Sequence, residues 1–503
     1  MITCYIHAYH PSTLQTFAGG LLQPPVAAVY APQSRSALPE GIQSTGLSDG
    51  VSTAAIRAVA ERCRTEYLLL CDLAGQQPEI HPHDLKRMTD VATQTSADWV
   101  YADYAVQRDG GSEAHPVIDC QEGSLRDDFN FGALVLVRAS AFREAARHIE
   151  DNYRHAALYS VRLHIARKGR ILRIREPLYT CRPLETATTE QAMFAYVDPA
   201  NREVQQEMER ACTHHLKETG AWLSPDSIQP VNLREGNFPC EATVVIPVRN
   251  RKTTIGEAID SALNQSASFP FNIIVADNHS DDGTSRIIRE KAARSDRLLH
   301  LIPSRKDLGI GGCWNEAINH PACGRFAVQL DSDDLYSGKD TLQKIINCFH
   351  DTRAAMVIGS YLTVDARLNR LPPGIVAHSE WTGENGRNNA LRINGLGAPR
   401  AFFTPLIRKT GFPNVSYGED YAAVLAMCRR HPVGRIHDVV YLCRRWEGNS
   451  DSSLSVHRQN EHHLYKDGIR TIELLARKQM NHPGMTHRDC LQANHTSPAD
   501  SGQ

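Results

Sequence analysis

The sequence is short of nearly every feature that would assign it quickly. Its 503 residues carry no surplus of either charge: 55 lysines and arginines stand against 57 aspartates and glutamates, a formal charge of -2. A chain so balanced has no global field to draw in nucleic acid or an anionic membrane, so any anionic ligand must be held by local chemistry. No window approaches the run of about 18 apolar residues that a membrane span needs, and residues 1–10 lack the cationic stretch and apolar core of a leader. These absences lead us to expect a cytoplasmic protein without a transmembrane segment, one that could still sit peripherally at a membrane. The 13 cysteines are an odd number with no CxxC pair, so reduced thiols are expected rather than a disulfide framework. The 23 histidines include no HExxH or other recognised zinc spacing.

What the chain does have is an alternation of short apolar runs and helical patterns. At this length more than one core is expected. Ile2 to Ala8, Tyr67 to Cys71, Trp99 to Val106 and Ala133 to Val137 read as strands, with helices at Thr53 to Cys63 and Tyr153 to Lys168. Strands and helices in this order imply an α/β domain with a mostly parallel sheet over residues 1–185. Residues 186–238 change character, first polar and helix-forming, then rich in proline and glycine, which marks a helical connector and linker. A second α/β domain over 239–455 begins with the strand Ala242 to Pro247, the helix Thr253 to Asn264 and the strand Phe271 to Ala276. A helix over 456–480 is expected to pack back on this second domain, and 481–503 is polar enough to be a disordered tail.

The second domain is organised around Gln329-Leu330-Asp331-Ser332-Asp333-Asp334, where an apolar strand ends in three carboxylates within four residues. Like charges this close raise one another's pKa unless a cation lies among them, and oxygen-only ligands suit Mg²⁺ or Mn²⁺. The same spacing also suits an acidic turn capping a helix near Asp340. Upstream, the βαβ order sets the loops Pro247 to Arg251 and Asp277 to Thr284 side by side at the carboxyl ends of parallel strands, where open α/β sheets bind ligands. Asp277 and Asn278 there can hydrogen-bond a base or ribose edge, or simply cap the next helix. Gly309, Gly311 and Gly312 precede a helix but form neither a Walker loop nor GxGxxG.

Thr243 to Asn250, the loop Asp277 to Thr284, Gly311-Gly312 with Asn315, Asp331-Ser332-Asp333-Asp334, Tyr417-Gly418-Glu419-Asp420 and Cys443 to Ser450 together resemble the ordered motifs of family 2 glycosyltransferases of the GT-A fold. Where many members carry Tyr or Phe this chain has Arg249, and Asn278 replaces a common second Asp. The resemblance implies an inverting transfer of a hexosyl or N-acetylhexosaminyl group from a nucleotide sugar, a UDP-sugar foremost, to a glycan, lipid-linked sugar, peptide or small-molecule acceptor, as in polysaccharide biosynthesis. It implies a donor site at Pro247, Arg249, Asn250, Asp277, Asn278, Gly311, Gly312, Asn315, Asp331, Ser332, Arg445 and Trp446. The metal, Mn²⁺ or Mg²⁺, would be held by Asp331, Asp333, Asp334 and His437. Asp420 would be the general base, with Glu419 orienting it or the acceptor. Glu419 and Asp420 would equally suit an acidic pair at a helix start. A sugar-1-phosphate nucleotidyltransferase is the alternative enzyme, though Thr243 to Lys252 lacks the glycine-rich loop expected of one. A non-catalytic sugar-nucleotide or glycan-binding protein is the other, and a homo-oligomer is compatible with all three.

An internal repeat completes the reading. An offset of 262 pairs Tyr159 with Tyr421, Tyr179 with Tyr441, Cys181 with Cys443 and Arg182 with Arg444, with 8 identities in 24 positions. Small gaps then set Asp72 on Asp331, but Ala74 on Asp333, Gly75 on Asp334 and Leu158 on Asp420. The expected fold is therefore α/β, two tandem GT-A-like, Rossmann-like domains with a helical connector and a C-terminal helix, the first domain degenerate and serving as scaffold, dimer contact or acceptor recognition.

Overall fold

The computed structural model describes residues 1–10, 13–14, 16–17, 23–34, 37–184, 201–446 and 454–484. The expected disordered tail lies, from 485 onward, outside the described residues, as do Glu447 to Ser450. Two mixed α/β units emerge, each built on a nine-stranded sheet. The first sheet contains β1 (Ile2–Tyr9), β2 (Val26–Ala31), β3 (Ile42–Ser44), β4 (Tyr67–Leu73), β5 (Gln76–Glu79), β6 (Trp99–Arg108), β7 (Gly111–His115), β8 (Leu134–Arg138) and β9 (Ile171–Pro183). The second contains β10 (Ala242–Val248), β11 (Phe271–Asp277), β12 (Leu298–Leu301), β13 (Phe326–Gln329), β14 (Leu335–Tyr336), β15 (Met356–Val364), β16 (Arg370–Val376), β17 (Arg400–Phe403) and β18 (Val433–Arg444).

In the second unit β10, β11 and β13 are almost wholly buried and pair in parallel, which is why their sequences read as continuous apolar runs rather than alternating ones. Parallel pairing demands crossovers, supplied by the helices Ile255–Leu263 and Thr284–Ala292. The first of these buries Ile255, Ala258, Ile259 and Ala262, one stripe at helical spacing. The loops after Pro247 and Asp277 and the acidic turn at Asp331 leave the sheet at the carboxyl ends of these strands. Short antiparallel β17 then inserts between β13 and β15 and brings a distant part of the chain beside the acidic strand end.

The two sheets have one strand order, β3-β2-β1-β4-β8-β6-β9-β5 with β7 on β6, against β12-β11-β10-β13-β17-β15-β18-β14 with β16 on β15. Their registers also agree. Trp99 pairs with Val137 and Ile171, as Met356 pairs with Phe402 and Val433; Leu68 pairs with Val137, as Ala327 pairs with Phe402. Carried along β4 and β13, that register sets Leu70 at the position of Gln329 and Asp72 at that of Asp331. Across the sheet it sets Val135 at that of Arg400. The chain is thus two tandem copies of one α/β fold, as the internal repeat implied.

The helix over Val456–Asn481 corrects one expectation. It belongs with the first unit, not the second. Asp467 accepts from Ser124 Oγ at 2.8 Å, Thr471 Oγ1 accepts from the Gly123 N–H at 2.9 Å, and Lys478 pairs with Glu122. A Cβ on Gly123 would lie 2.2 Å from the Asp467 carbonyl oxygen, so only glycine allows this approach. The helix is polar where it is buried: Asp467, Arg470, Glu473 and Arg477 pair along it, and a face that looks solvent-exposed in sequence is an interior one. The helix Arg202–Glu218 also lies in the first unit, while the linker from Leu223 runs on the second, its Val231 N–H donating to the Arg353 carbonyl at 2.9 Å. Two helix starts shift as well: the helix expected over Tyr153 to Lys168 begins at Ala157, and the one expected over Thr253 to Asn264 begins at Ile255. Among the described residues no helix is long and apolar enough to cross a membrane.

Candidate active site

Three loops meet at the carboxyl ends of β10 and β11. Asn250 and His279 adopt left-handed backbone, at φ 54° and 55°, a region that Asn and His tolerate better than most residues. Hydrogen bonds then close the two loops on each other: Asn250 N–H to Ser280 Oγ at 3.0 Å, Asp281 N–H to Asn250 Oδ1 at 2.9 Å, Arg251 N–H to Thr284 Oγ1 at 2.7 Å. Asn278 Nδ2 donates to the Leu308 carbonyl at 2.7 Å and draws in the third loop, while Asn278 Oδ1 is buried without a hydrogen-bond partner. Pro247 is half-buried at the end of β10, and Arg249 and Asn250 are exposed at the mouth.

Four residues expected to touch a donor hold the scaffold. The fully buried Asp277 accepts from the Ser280 N–H, Ser285 Oγ and His300 Nε2. Against the burial that pushes its carboxyl up, these bonds bring it down to about 2. Asn315 exchanges both amide bonds with the Phe412 backbone, at 2.8 and 3.0 Å. Gly311 and Gly312 admit protein rather than ligand: a Cβ on Gly311 would lie 2.0 Å from the Pro413 carbonyl oxygen, and one on Gly312 2.3 Å from Asn414 Oδ1. Helix Ile310–Asn319 is packed that closely on the segment that leads to Glu419.

The acidic strand end is asymmetric. Asp334 is buried, accepts the Arg444 N–H at 2.7 Å, and is pushed well above the usual carboxylate range by burial and by Asp331 and Asp333. Arg444, itself buried, also donates to the Asp333 carbonyl and Glu257, so it anchors the turn rather than meeting a phosphate. Asp333 is less deeply placed, its side chain 15% exposed, and accepts from Trp446 Nε1 at 3.3 Å with Arg251 Nε 3.8 Å away. Asp331 receives Gln329 Nε2 on both oxygens and its N–H donates to Tyr441 Oη at 3.0 Å; burial raises its carboxyl, with Arg400 opposing. Ser332 is buried between them, and Arg445 is tied through its N–H to the Val364 carbonyl at 2.7 Å.

These positions revise the metal set. Asp331, Asp333 and Asp334 do not converge into one cage; among the described residues the only three donors within 4.8 Å of one another are Glu144, His148 and His164 of the first unit. There Arg167 donates to His164 Nδ1 at 3.2 Å, which leaves the proton of a neutral ring on Nε2, and Lys168 approaches Glu144. His437 is corrected too. It lies exposed on β18, lining a cavity with Lys344, Asn347, Asp351 and Arg435, four residues and roughly 13 Å along the strand from the Tyr441 that meets Asp331. Asp333 and Asp331 remain as the candidate oxygen donors at the strand end.

Across the strand end stands the pair Glu419 and Asp420, in the first turn of the helix Glu419–Cys428. Glu419 is buried with Oε2 unpartnered, and burial with the neighbouring Asp420 pushes its carboxyl up to about 8. Asp420 meets Arg400 Nη1 at 2.8 Å. Arg400 lies 20 residues before Asp420 in an apolar segment, where the sequence carries no signal for it except the register of the repeat.

A mixed α/β sheet with an acidic strand end, paired loops at its mouth and a carboxylate pair opposite makes up the candidate site. Residues 243–410 match the family model described as Glycosyl transferase family 2, and the second unit carries a domain of that family. An uncharacterized protein of Mycobacterium tuberculosis is 30% identical over 114 residues, covering 21% of this chain and 33% of that one. The poly(ribitol-phosphate) beta-glucosyltransferase of Bacillus spizizenii is 24% identical over 238 residues, covering 46% and 36%. The chain thus spans about a third of the length of the curated relatives it matches. The solved structure of S. aureus TarS 1-349 in complex with UDP-GlcNAc is 22% identical with a TM-score of 0.36, over 48% of this chain and 73% of that one.

Proposed function

We propose that the second unit transfers a sugar from a nucleoside diphosphate sugar, a UDP-sugar foremost, to an acceptor hydroxyl with inversion, and that the first unit is its non-catalytic copy. The observation that carries this is Asp420 held across the end of the sheet from Asp331 and Asp333. In the reaction the acceptor oxygen forms its bond to the anomeric carbon while the bond to the diphosphate breaks and the diphosphate leaves with the electron pair. Asp420 takes the acceptor proton. Asp333 and Asp331 would hold a divalent cation, which would supply positive charge to offset the leaving diphosphate. Glu419 stands beside Asp420 at the helix start, where burial and the neighbouring carboxylate push its carboxyl toward the protonated form. Arg249, Arg251 and Trp446 line the approach to the diphosphate, and the loops at Pro247 and Asn278 take the base. Glycans, lipid-linked sugars, peptides and small molecules are the acceptor classes to screen.

The test is release of nucleoside diphosphate from a panel of nucleotide sugars with Mn²⁺, with the product anomer read by NMR. Asp420→Asn keeps the shape of the site, so donor affinity is expected to stay within a few-fold while transfer falls by about 10² to 10⁴. A helix-start role alone predicts a stability loss of only about 0.3 to 1 kcal/mol and normal turnover. A stable Asp420→Asn protein with wild-type transfer removes the base.

A further inference from the structure

Arg400 opens β17 beside the end of β13, and its contacts join the two halves of the site. Its N–H donates to Gln329 Oε1 at 3.0 Å, and Gln329 Nε2 donates to Asp331 Oδ1 and Oδ2 at 2.9 and 3.0 Å. Its Nη1 reaches Asp420 Oδ2 at 2.8 Å and the Gly397 carbonyl at 3.0 Å. Asp420 Oδ1 in turn accepts from the Tyr421 N–H at 2.7 Å. The result is one hydrogen-bonded chain, Asp331 to Gln329 to Arg400 to Asp420, from the acidic strand end to the helix start. Its ion pair is largely shielded, with side-chain exposures of 18% for Arg400 and 28% for Asp420, so it is less screened than a surface pair. The other groups that act on Arg400 are Asp331, Glu419 and Tyr441, with Tyr361 and His378 close by.

The first unit supplies an internal control. In its matching register Gln329 is replaced by Leu70, Arg400 by Val135 and Asp420 by Leu158, three apolar residues, although Asp72 persists at the position of Asp331. The same nine-stranded sheet forms there without the chain of contacts. Polar groups that the fold does not need, and that are absent together with the carboxylate of Asp333, belong to the chemistry rather than to the scaffold.

The geometry points to Arg400 as a positioning residue that fixes the orientation of Asp420 and, through Gln329, ties it to the carboxylate on the donor side. This rests on the transfer reaction proposed above. A general base must lie within hydrogen-bond reach of the acceptor proton, and a misplacement of about 1 Å can cost on the order of 10² in rate. Arg400 therefore acts on turnover and not on donor affinity.

The experiment uses the full-length protein with Mn²⁺ and the UDP-sugar turned over fastest in the panel, and compares Arg400→Met, Arg400→Lys, Gln329→Leu and Asp420→Asn. Arg400→Met is expected to lower kcat about 10- to 100-fold. The donor KM and the Kd for UDP should stay within about three-fold, the signature of an interaction made on the way to the transition state. Arg400→Lys should recover part of the loss, since its ammonium keeps the charge, and Gln329→Leu should show a smaller loss of the same kind. Thermal melting of each variant separates misfolding from misplacement. If Asp420→Asn loses transfer while Arg400→Met stays within two-fold of wild type, the positioning role is overturned and the base stands. Equal changes in kcat and UDP affinity, with no recovery in Arg400→Lys, overturn it as well. Wild-type transfer by Asp420→Asn, or no turnover by the wild type, overturns the functional reading and this inference with it.

Discussion

Asp277 and Glu419 show how far burial alone fails to fix the charge of a carboxyl. Both are buried, yet Asp277 is held down at about 2 by three donors while Glu419, with Oε2 unpartnered, is pushed up to about 8. For Asp277 the folded value lies below the 3.8 of a free aspartate, so its contribution to stability is complete above that unfolded value and is lost as pH falls from there through about 2. The difference is worth about 2 kcal/mol. Comparing denaturant midpoints of wild type and Asp277→Asn, the gap is expected to narrow between pH 5 and pH 2.5 by an amount of that order. A gap that is the same at both pH values would mean that the carboxylate makes no charge-dependent contribution to the loop. Glu419 runs the other way: its burial opposes ionisation increasingly as pH rises from 4.5 toward 8. Comparing the two proteins at each pH cancels this term.

The acidic turn is the element in which these local effects become a division of labour. It leaves β13 with Asp334 buried on the Arg444 N–H and Asp333 less deeply placed beside Trp446. Asp333→Asn is therefore expected to leave the melting temperature unchanged and to weaken Mn²⁺-dependent UDP binding at least tenfold, and EDTA should do the same to wild type. Asp334→Ala should do the reverse. It leaves a buried N–H unsatisfied, at about 1 to 3 kcal/mol. His437→Ala should change neither quantity. Calorimetric titration with UDP and melting curves on the three variants check this, and a large loss of UDP binding in His437→Ala would restore that residue to the metal set.

On the scale of the whole molecule, the chain returns to its first unit after completing the second, so a fragment cut by sequence order cuts the wrong helix. Residues 223–453 are expected to bind Mn²⁺ and UDP with full-length affinity, because every candidate site residue and its supports lie in that span. Residues 239–480 should fare worse: they lose the linker from Leu223 and carry helix Val456–Asn481 with Asp467, Arg470, Glu473 and Arg477 stripped of their surroundings. Size-exclusion profiles and titration on both fragments decide it. A folded, monodisperse 223–453 fragment without UDP affinity would show that the site needs more than the second unit.

The amino-acid sequence by itself determined the α/β class, the tandem repeat and the order of the motifs, because buried parallel strands are apolar runs and strand ends collect Asp, Asn and Gly whatever the partner. It marked Asp331 and Asp333 by residue type and spacing, and Glu419 and Asp420 through the resemblance to family 2 glycosyltransferases. Which side chains face out and which brace the scaffold was settled only by tertiary structure. Asp277, Asn315 and Asp334 look like ligands in sequence because a carboxylate or amide that binds a substrate is chemically the same as one that accepts a distant N–H or hydroxyl. Arg400 was hidden for the converse reason: it reaches Asp331 and Asp420 through the antiparallel insertion of β17, a pairing of residues about 70 apart in sequence that no local pattern records. The C-terminal helix was misplaced because its buried face is charged, and charge reads as solvent until the groups that neutralise it are brought alongside.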